Sequence, residues 1–471
     1  MYFDQKFIKS VLQDVQFIGS YVDDHINFSI DSRAIQPDDV FIALKGTRVD
    51  GHDYIEHALN NGAAGLMIEI SKKDILNRFS KSVLDDKFII LVNDTLSALT
   101  TLAAAWRAQF SYPVVGITGS VGKTSTKERL AQIFIHQNIP CLASSGNQNT
   151  RVGLSLNILK MRDYHKVAIF ELGISRRGEM AELVKILDPK YAVITYIGHA
   201  HMEGLGSLAD IAAEKRDIFK YFNERSIGII NGDQPILSQV GYAHPVIRFG
   251  YKTINQVQAR KVQPQNTQMS FVLKLYKQKF NVLINQPHEG AVLNALAAAA
   301  TAYLLGVSPE KIVEGIQQPI SVPGRFEECA ISKTKSTLIN DCYNANPESM
   351  KAALLAFHRI NTKRSKIAVI GDMLELGPLA PFWHRQIGRF LRKVPSIRQV
   401  ILVGNMVQWT KKTMPLGVSA DIVPNWQEAL KILDTKLSDE SMVLVKGSRG
   451  MALDNIVNHL SSELTQEHSE K

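Results

Sequence analysis

Cysteine is almost absent. Cys141, Cys329 and Cys342 are the three in 471 residues, and no CxxC pair occurs. A disulfide framework and a zinc knuckle are therefore not expected, and the usage suits a reducing, cytoplasmic compartment. Long apolar runs are missing too. The longest candidate, NALAAAATAYLLG from Asn294, falls short of the ~20 residues a membrane span requires and reads as a buried helix. The first residues, MYFDQKFIKSVLQDV, carry charges throughout and have no apolar signal core, so neither secretion nor membrane insertion is expected. A basic block is also lacking. The formal charge is +9, but Lys and Arg are scattered, which gives no support to nucleic-acid binding. There is no internal repeat and no low-complexity tract.

What is present is a long, ordinary globular composition, 45% hydrophobic and 21% charged. The length exceeds one core and suggests about three domains. In residues 1–92, short apolar strands at 40–44 and 65–70 flank a helical stretch at 54–61, a small α/β unit. Residues 93–321 open with a helix from Asp94. A strand at 113–117, a glycine turn and a helix from about Lys123 follow, then strands at 167–170, 192–196 and 227–230 between helical segments. That alternation predicts a doubly wound parallel sheet. Pro323 and Gly324 punctuate the chain, and residues 322–471 repeat the alternation with strands at 336–340, 366–370, 399–403 and 442–445. This last unit is Rossmann-like but has no GxGxxG, so a dinucleotide is not implied. The polar tail SSELTQEHSEK is expected to fray.

The strongest chemical signal is Thr118-Gly119-Ser120-Val121-Gly122-Lys123-Thr124, between a strand and a helix. Glycines let backbone amides turn toward phosphate oxygens, Lys123 reaches the outer phosphates, and Thr124 can hold Mg²⁺. Ile117 occupies the first glycine slot of the full phosphate-loop spacing, leaving the shorter GxxGKT. Glu171 ends the strand KVAIFELG, where a carboxylate faces the nucleotide crevice. After YAVITYIG come His199 and His201, either of which can be a ligand, although a lone histidine after a strand is more often structural. Ser207-Leu-Ala-Asp210 resembles a capping box and starts a helix carrying Lys215. On composition alone Lys215 is a solvated helix residue. Asn294 at the opening of the alanine helix can read adenine, Arg325 at the hinge can reach a phosphate, and Asp341 after a strand can accept from a ribose hydroxyl. Unaided, each of these three reads equally as a cap, a surface pair or a turn.

Together TGSVGKTSTKE, GNQNTRVG, ELGISRRGE, HAHMEGLGS, AAEKRDIF, NALAAAA, VPGR, INDCYNANPESM, GDMLELG and VKGSRGM resemble the Mur ligase family, over nearly the whole chain. DSRAIQPDDVFIAL and VDGHDYIEHALNNGA look like its UDP-sugar domain. YNANP, with no DNPR segment, is most similar to the member that adds D-alanyl-D-alanine to UDP-N-acetylmuramoyl-tripeptide. The resemblance implies a cytoplasmic monomer with three domains: UDP-binding at 1–92, ATPase at 93–321 and amino-substrate-binding at 322–471. It implies that residues 118–124 hold ATP, that Thr124 and Glu171 serve one Mg²⁺, and that His201 serves a second. Lys215 matches a lysine that relatives carry as a carbamate, an oxygen ligand suited to Mg²⁺. Asn294, Arg325 and Asp341 would contact adenine, phosphate and ribose. Asn149 and Thr150 would hold the UDP-muramoyl substrate, and Ser32, Arg33, Lys45 and Gly46 its uridine diphosphate end. Two positions depart from the family pattern. Gly290 stands where a histidine often precedes the adenine-reading asparagine, with His288 two residues earlier, and Tyr196 replaces an asparagine before Ile-Gly.

The implied reaction converts a substrate carboxylate to an acyl phosphate, which an amine then attacks. A phosphate-loop kinase or nucleotide switch would leave Lys215 and the third region unused. A UDP-sugar-binding regulator would leave the metal residues unused, and folylpolyglutamate synthetase lacks a domain like DSRAIQPDDVF.

Overall fold

The computed structural model describes residues 2–21, 26–46, 49–146, 148–332, 334–438 and 440–461. The tail expected to fray lies, from residue 462, outside the described residues. The chain gathers into two compact units. One comprises Met1–Gly116, Ile139–Gly173 and Met180–Lys190, the other Ile117–Asn138, Ile174–Glu179 and Tyr191–Lys471.

Three sheets carry the fold. The first has strands β1 (Gln16–Ile18), β2 (Asn27–Ser29), β3 (Asp39–Ile42), β4 (Gly65–Glu69) and β5 (Phe88–Val92) in the order β1-β5-β4-β3-β2. All its pairings are parallel except β1 on β5. The run Phe-Ile-Ile-Leu-Val in β5 is buried throughout, as expected of a strand covered on both faces. Asp94 caps the next helix, Thr95–Arg107, by accepting from Ser97 N–H at 2.6 Å.

The second sheet has nine strands: β6 (Val114–Thr118), β7 (Cys141–Ala143), β8 (Val167–Glu171), β9 (Tyr191–Ile194), β10 (Ile227–Asn231), β11 (Val246–Gly250), β12 (Val257–Gln265), β13 (Gln268–Leu275) and β14 (Gln278–Ile284). Their order is β14-β13-β12-β11-β10-β9-β6-β8-β7. The chain moves outward from β6 to β7, returns to β8, then crosses to β9, so strand order reverses about β6. A ligand crevice opens at such a switch point, beyond the carboxyl ends of the strands. The doubly wound expectation holds for this parallel part. The sheet also continues as an antiparallel ribbon, β12 to β14, which the sequence reading missed.

The third sheet, β15 (Glu327–Ala330), β16 (Thr337–Asn340), β17 (Ser365–Gly371), β18 (Gln399–Val403), β19 (Ser419–Val423) and β20 (Ser441–Lys446), has the order β15-β16-β20-β17-β18-β19. It is parallel apart from β15. Successive β17 residues alternate between two buried clusters: Ala368 and Ile370 face one, Ile367 and Val369 the other. Burial on both faces explains the continuous apolar run that made β17, β18 and β20 legible. Together the three sheets give the expected three-domain α/β architecture.

Candidate active site

The glycine turn behaves as its residues require. β6 is buried along its length and ends at Thr118. The helix Lys123–His136 starts directly after Gly122, which has φ +89°. A Cβ at Gly122 would overlap the Asn294 amide, and one at Gly119 would overlap the Thr195 hydroxyl. Both glycines are therefore required by close approach as well as by backbone freedom. Thr195 Oγ1 donates to the Val121 carbonyl at 2.6 Å, Ser120 N–H to Tyr196 O at 2.7 Å, and Ser120 Oγ to Gly198 O at 2.8 Å. The loop is thus fixed by the segment that follows β9, and Tyr196 takes part through its backbone only. Lys123 Nζ donates to the Gly119 carbonyl at 2.9 Å, folding its charge over the loop. Thr124 occupies the next position of the same helix.

Asn294 is not at the opening of its helix, as the sequence suggested. The helix runs Glu289–Leu304 and is capped by His288, whose Nδ1 accepts from Ala291 N–H at 3.0 Å. The displaced histidine therefore starts the helix, and Asn294 sits more than a turn inside it. Thr126 Oγ1 donates to Asn294 Oδ1 at 3.3 Å, which ties the asparagine to the phosphate-loop helix.

The two histidines are held by acidic residues of the third-sheet region. His199 Nδ1 lies 2.6 Å from Glu348 Oε1, with its ring 4.3 Å from that of Trp383. His201 Nδ1 lies 2.6 Å from Glu375 Oε2. The His201 ring holds the Glu375 carboxyl below its usual range. His201 also has φ +57°, an uncommon backbone for a non-glycine residue. Glu348 and Glu375 went unnoticed in the sequence, because nothing local links either to a histidine so distant along the chain.

Lys215 departs from its composition-based reading. The capping box is formed: Ser207 accepts from Asp210 N–H and Asp210 accepts from Ser207 N–H. The helix Leu208–Arg216 then places Lys215 almost wholly out of solvent, at 1% exposure. It is not a solvated helix residue.

In the other unit, Glu171 ends β8 and is buried. Asn149 Nδ2 donates to Glu171 Oε1 at 2.7 Å, bringing two expected site residues together. Gly173 must lack a side chain because its Cβ would strike Asn149. Thr150 caps the helix Arg151–Ile158. Ser32 and Arg33 follow β2, while Lys45 and Gly46 follow β3, its parallel neighbour, so all four lie at one edge of the first sheet. Ser32 is buried, with its Oγ 2.9 Å from His57 Nδ1. Arg33 is exposed and pairs with Asp31 through two bonds of 2.8 Å, which hold the Asp31 carboxyl down at about 2.

In the third-sheet region, Arg325 follows Gly324, whose φ is +68°, and its guanidinium lies 4.1 Å from the centre of the Tyr343 ring. Asp341 follows β16 and is ion-paired to Lys446 at 2.8 Å. Among the described residues, no group of three or more His, Cys, Asp or Glu side chains forms a metal cage. The Thr124 hydroxyl and Glu171 carboxylate are nevertheless hard oxygen donors of the kind Mg²⁺ takes.

A strand, phosphate loop and helix at a sheet switch point, together with two further α/β sheets, define a nucleotide-using phosphate-loop protein. Family models match along the chain: the Mur ligase family catalytic domain at 26–107, the Mur ligase middle domain at 117–302, and the Mur ligase glutamate ligase domain at 324–449. The chain is similar to UDP-N-acetylmuramoyl-tripeptide--D-alanyl-D-alanine ligases. The Bacillus subtilis enzyme is 33% identical over 91% of this chain and 92% of its own. The Treponema pallidum enzyme is 35% identical over 92% and 94%. Among solved structures, MurF from Acinetobacter baumannii has a TM-score of 0.83 at 27% identity, covering 98% of this chain and 99% of that one. MurF ligase from Thermotoga maritima in complex with ADP has a TM-score of 0.77 at 28% identity, covering 94% and 98%. The chain belongs to the Mur ligase family.

Proposed function

We propose that this protein is an ATP-dependent ligase that joins UDP-N-acetylmuramoyl-tripeptide to D-alanyl-D-alanine in cytoplasmic peptidoglycan precursor synthesis. The observation that carries this reading is end-to-end similarity to enzymes of that name, through all three sheets. The protein acts as a monomer, with a UDP-sugar-binding domain at 1–92, an ATP-binding domain at 93–321 and an amino-substrate-binding domain at 322–471.

A carboxylate and an amine do not condense usefully in water, so the carboxylate is first activated. A carboxylate oxygen of the tripeptide attacks the γ-phosphorus of ATP, the bond to the bridging oxygen breaks, and ADP leaves. The dipeptide amine then attacks the acyl phosphate carbonyl, loses a proton, and expels inorganic phosphate. Lys123 and the amides of 118–122 neutralise charge on the transferring phosphoryl group. Asn294 contacts adenine, Arg325 a phosphate and Asp341 the ribose. Ser32, Arg33, Lys45 and Gly46 bind the uridine diphosphate end, and Asn149 and Thr150 the muramoyl part. Thr124 and Glu171 would serve one Mg²⁺, and His201 with a carbamylated Lys215 a second, which would supply further charge neutralisation.

Hydroxylamine tests the intermediate. With ATP and UDP-tripeptide but no dipeptide, it should yield the UDP-tripeptide hydroxamate. Hydroxamate that forms without ATP, or phosphate that transfers to the protein instead, would refute the acyl-phosphate route.

A further inference from the structure

Lys446 is the last residue of β20, 1% exposed, and the site described above gives it no role. Its ammonium has three N–H donors and meets three acceptors. Nζ lies 2.8 Å from Asp341 Oδ2, and it donates to the Asn344 carbonyl at 3.1 Å and to the Asp341 carbonyl at 3.3 Å. With each donor engaged inside the protein, Lys446 has none left for a substrate. All of its hydrogen-bonding capacity is spent on the turn that carries Asp341.

The Asp341 carboxylate is held from both sides. Lys446 takes Oδ2, and Phe326 N–H donates to Oδ1 at 3.2 Å. Asp341 N–H donates to the Val445 carbonyl at 2.9 Å, so the residues on either side of the β16–β20 pairing fix both backbone and side chain. Phe326 directly follows Arg325, whose guanidinium stacks on Tyr343 in the same turn. The arrangement fixes the Asp341 carboxylate with a buried lysine whose bonds all stay within the protein.

We propose that Lys446 is a positioning residue for the nucleotide, aiming the Asp341 carboxylate at the ribose hydroxyls. The proposal rests on the ribose reading of Asp341, and its test separates the two. A charge-assisted hydrogen bond to a hydroxyl discriminates by about ten- to a hundredfold. The wild-type enzyme should therefore prefer ATP over 2′-deoxy-ATP or 3′-deoxy-ATP by about that factor in kcat/KM, with UDP-tripeptide and D-alanyl-D-alanine saturating.

Asp341→Ala should abolish the preference. Lys446→Met, which keeps the apolar stem, should abolish most of it through a raised KM for ATP, while the KM for UDP-tripeptide stays at the wild-type value. A purely structural lysine would instead lower melting temperature and active fraction and leave the ATP to deoxy-ATP ratio intact. If Lys446→Met does not fold, Lys446→Arg gives the same comparison. It keeps the charge but not the reach to three acceptors, so a reduced preference supports the proposal and a wild-type preference overturns it. If Asp341→Ala retains the full preference, the ribose reading falls and the proposal falls with it. If Asp341→Ala loses the preference and the Lys446 variants keep it, the proposal alone is wrong.

Discussion

A lysine buried to 1% exposure is expensive to keep in a fold, since removing an ammonium from water costs several kcal/mol unless its charge is met or changed. Lys215 is buried to that extent, on a helix whose start is fixed by the Ser207–Asp210 capping box. Conversion to a carbamate would turn the cation into a metal ligand, which is the role proposed for it. Lys215→Ala should lose activity by about a hundredfold or more, and excess bicarbonate should not restore it. Formate, which can lend the missing oxygen donor, should restore part of the rate. Wild-type turnover by Lys215→Ala would remove Lys215 from the site. Read from its neighbours alone this lysine looked bland, because the helix Leu208–Arg216 does not by itself reveal what lies over its face. Lys123, by contrast, was legible, because its strand–turn–helix setting is entirely local. Glu348 and Glu375 were invisible for the opposite reason: their histidine partners are distant in sequence.

At the level of elements, the phosphate loop depends on glycine at two points. Gly122→Ala places a side chain at φ +89°, a conformation that costs a non-glycine residue about 1–2 kcal/mol, and drives a methyl toward Asn294. It should lower kcat/KM for ATP by about tenfold or more, with a smaller effect on the KM for UDP-tripeptide. An unchanged value for ATP would show that the turn has no nucleotide to hold. Of the parallel strands, β3, β4, β6, β8, β9, β10, β16, β17, β18 and β20 were foreseen, because burial on two faces leaves a continuous apolar run, whereas β2, β5, β7, β11 and β19 were not. The ribbon β12 to β14 escaped notice because it buries one face: β13 alternates between intermediate and buried positions along its whole length. Pro264 in β12 adds to the disguise. It is tolerated because β11 pairs with β12 only at Val257 and Gln258, leaving the later residues of that edge free of ladder bonds to β11.

Across the whole molecule, burial pushes His165, His244, His358 and His384 below the usual histidine range. His384 shows why. Its Nε2 accepts from Met373 N–H at 3.1 Å while Nδ1 donates to Ala380 O at 2.8 Å, a neutral tautomer locked in place. In the unfolded chain such histidines take up protons as pH falls through about 6.5, before the folded ones do. The unfolded state then binds more protons, so stability is level above that pH and declines below it. Melting temperature should fall between about pH 7 and pH 5, and His384→Gln should flatten the decline. A melting temperature that rises on acidification would contradict this account.

The central claim concerns which two molecules the enzyme joins, and steady-state phosphate release tests it most directly. With ATP, Mg²⁺ and UDP-N-acetylmuramoyl-tripeptide, release should be slow until D-alanyl-D-alanine is added, then rise with one phosphate formed for each dipeptide consumed. Equal turnover when a free diamino acid replaces the dipeptide, or when the tripeptide is omitted, would contradict it.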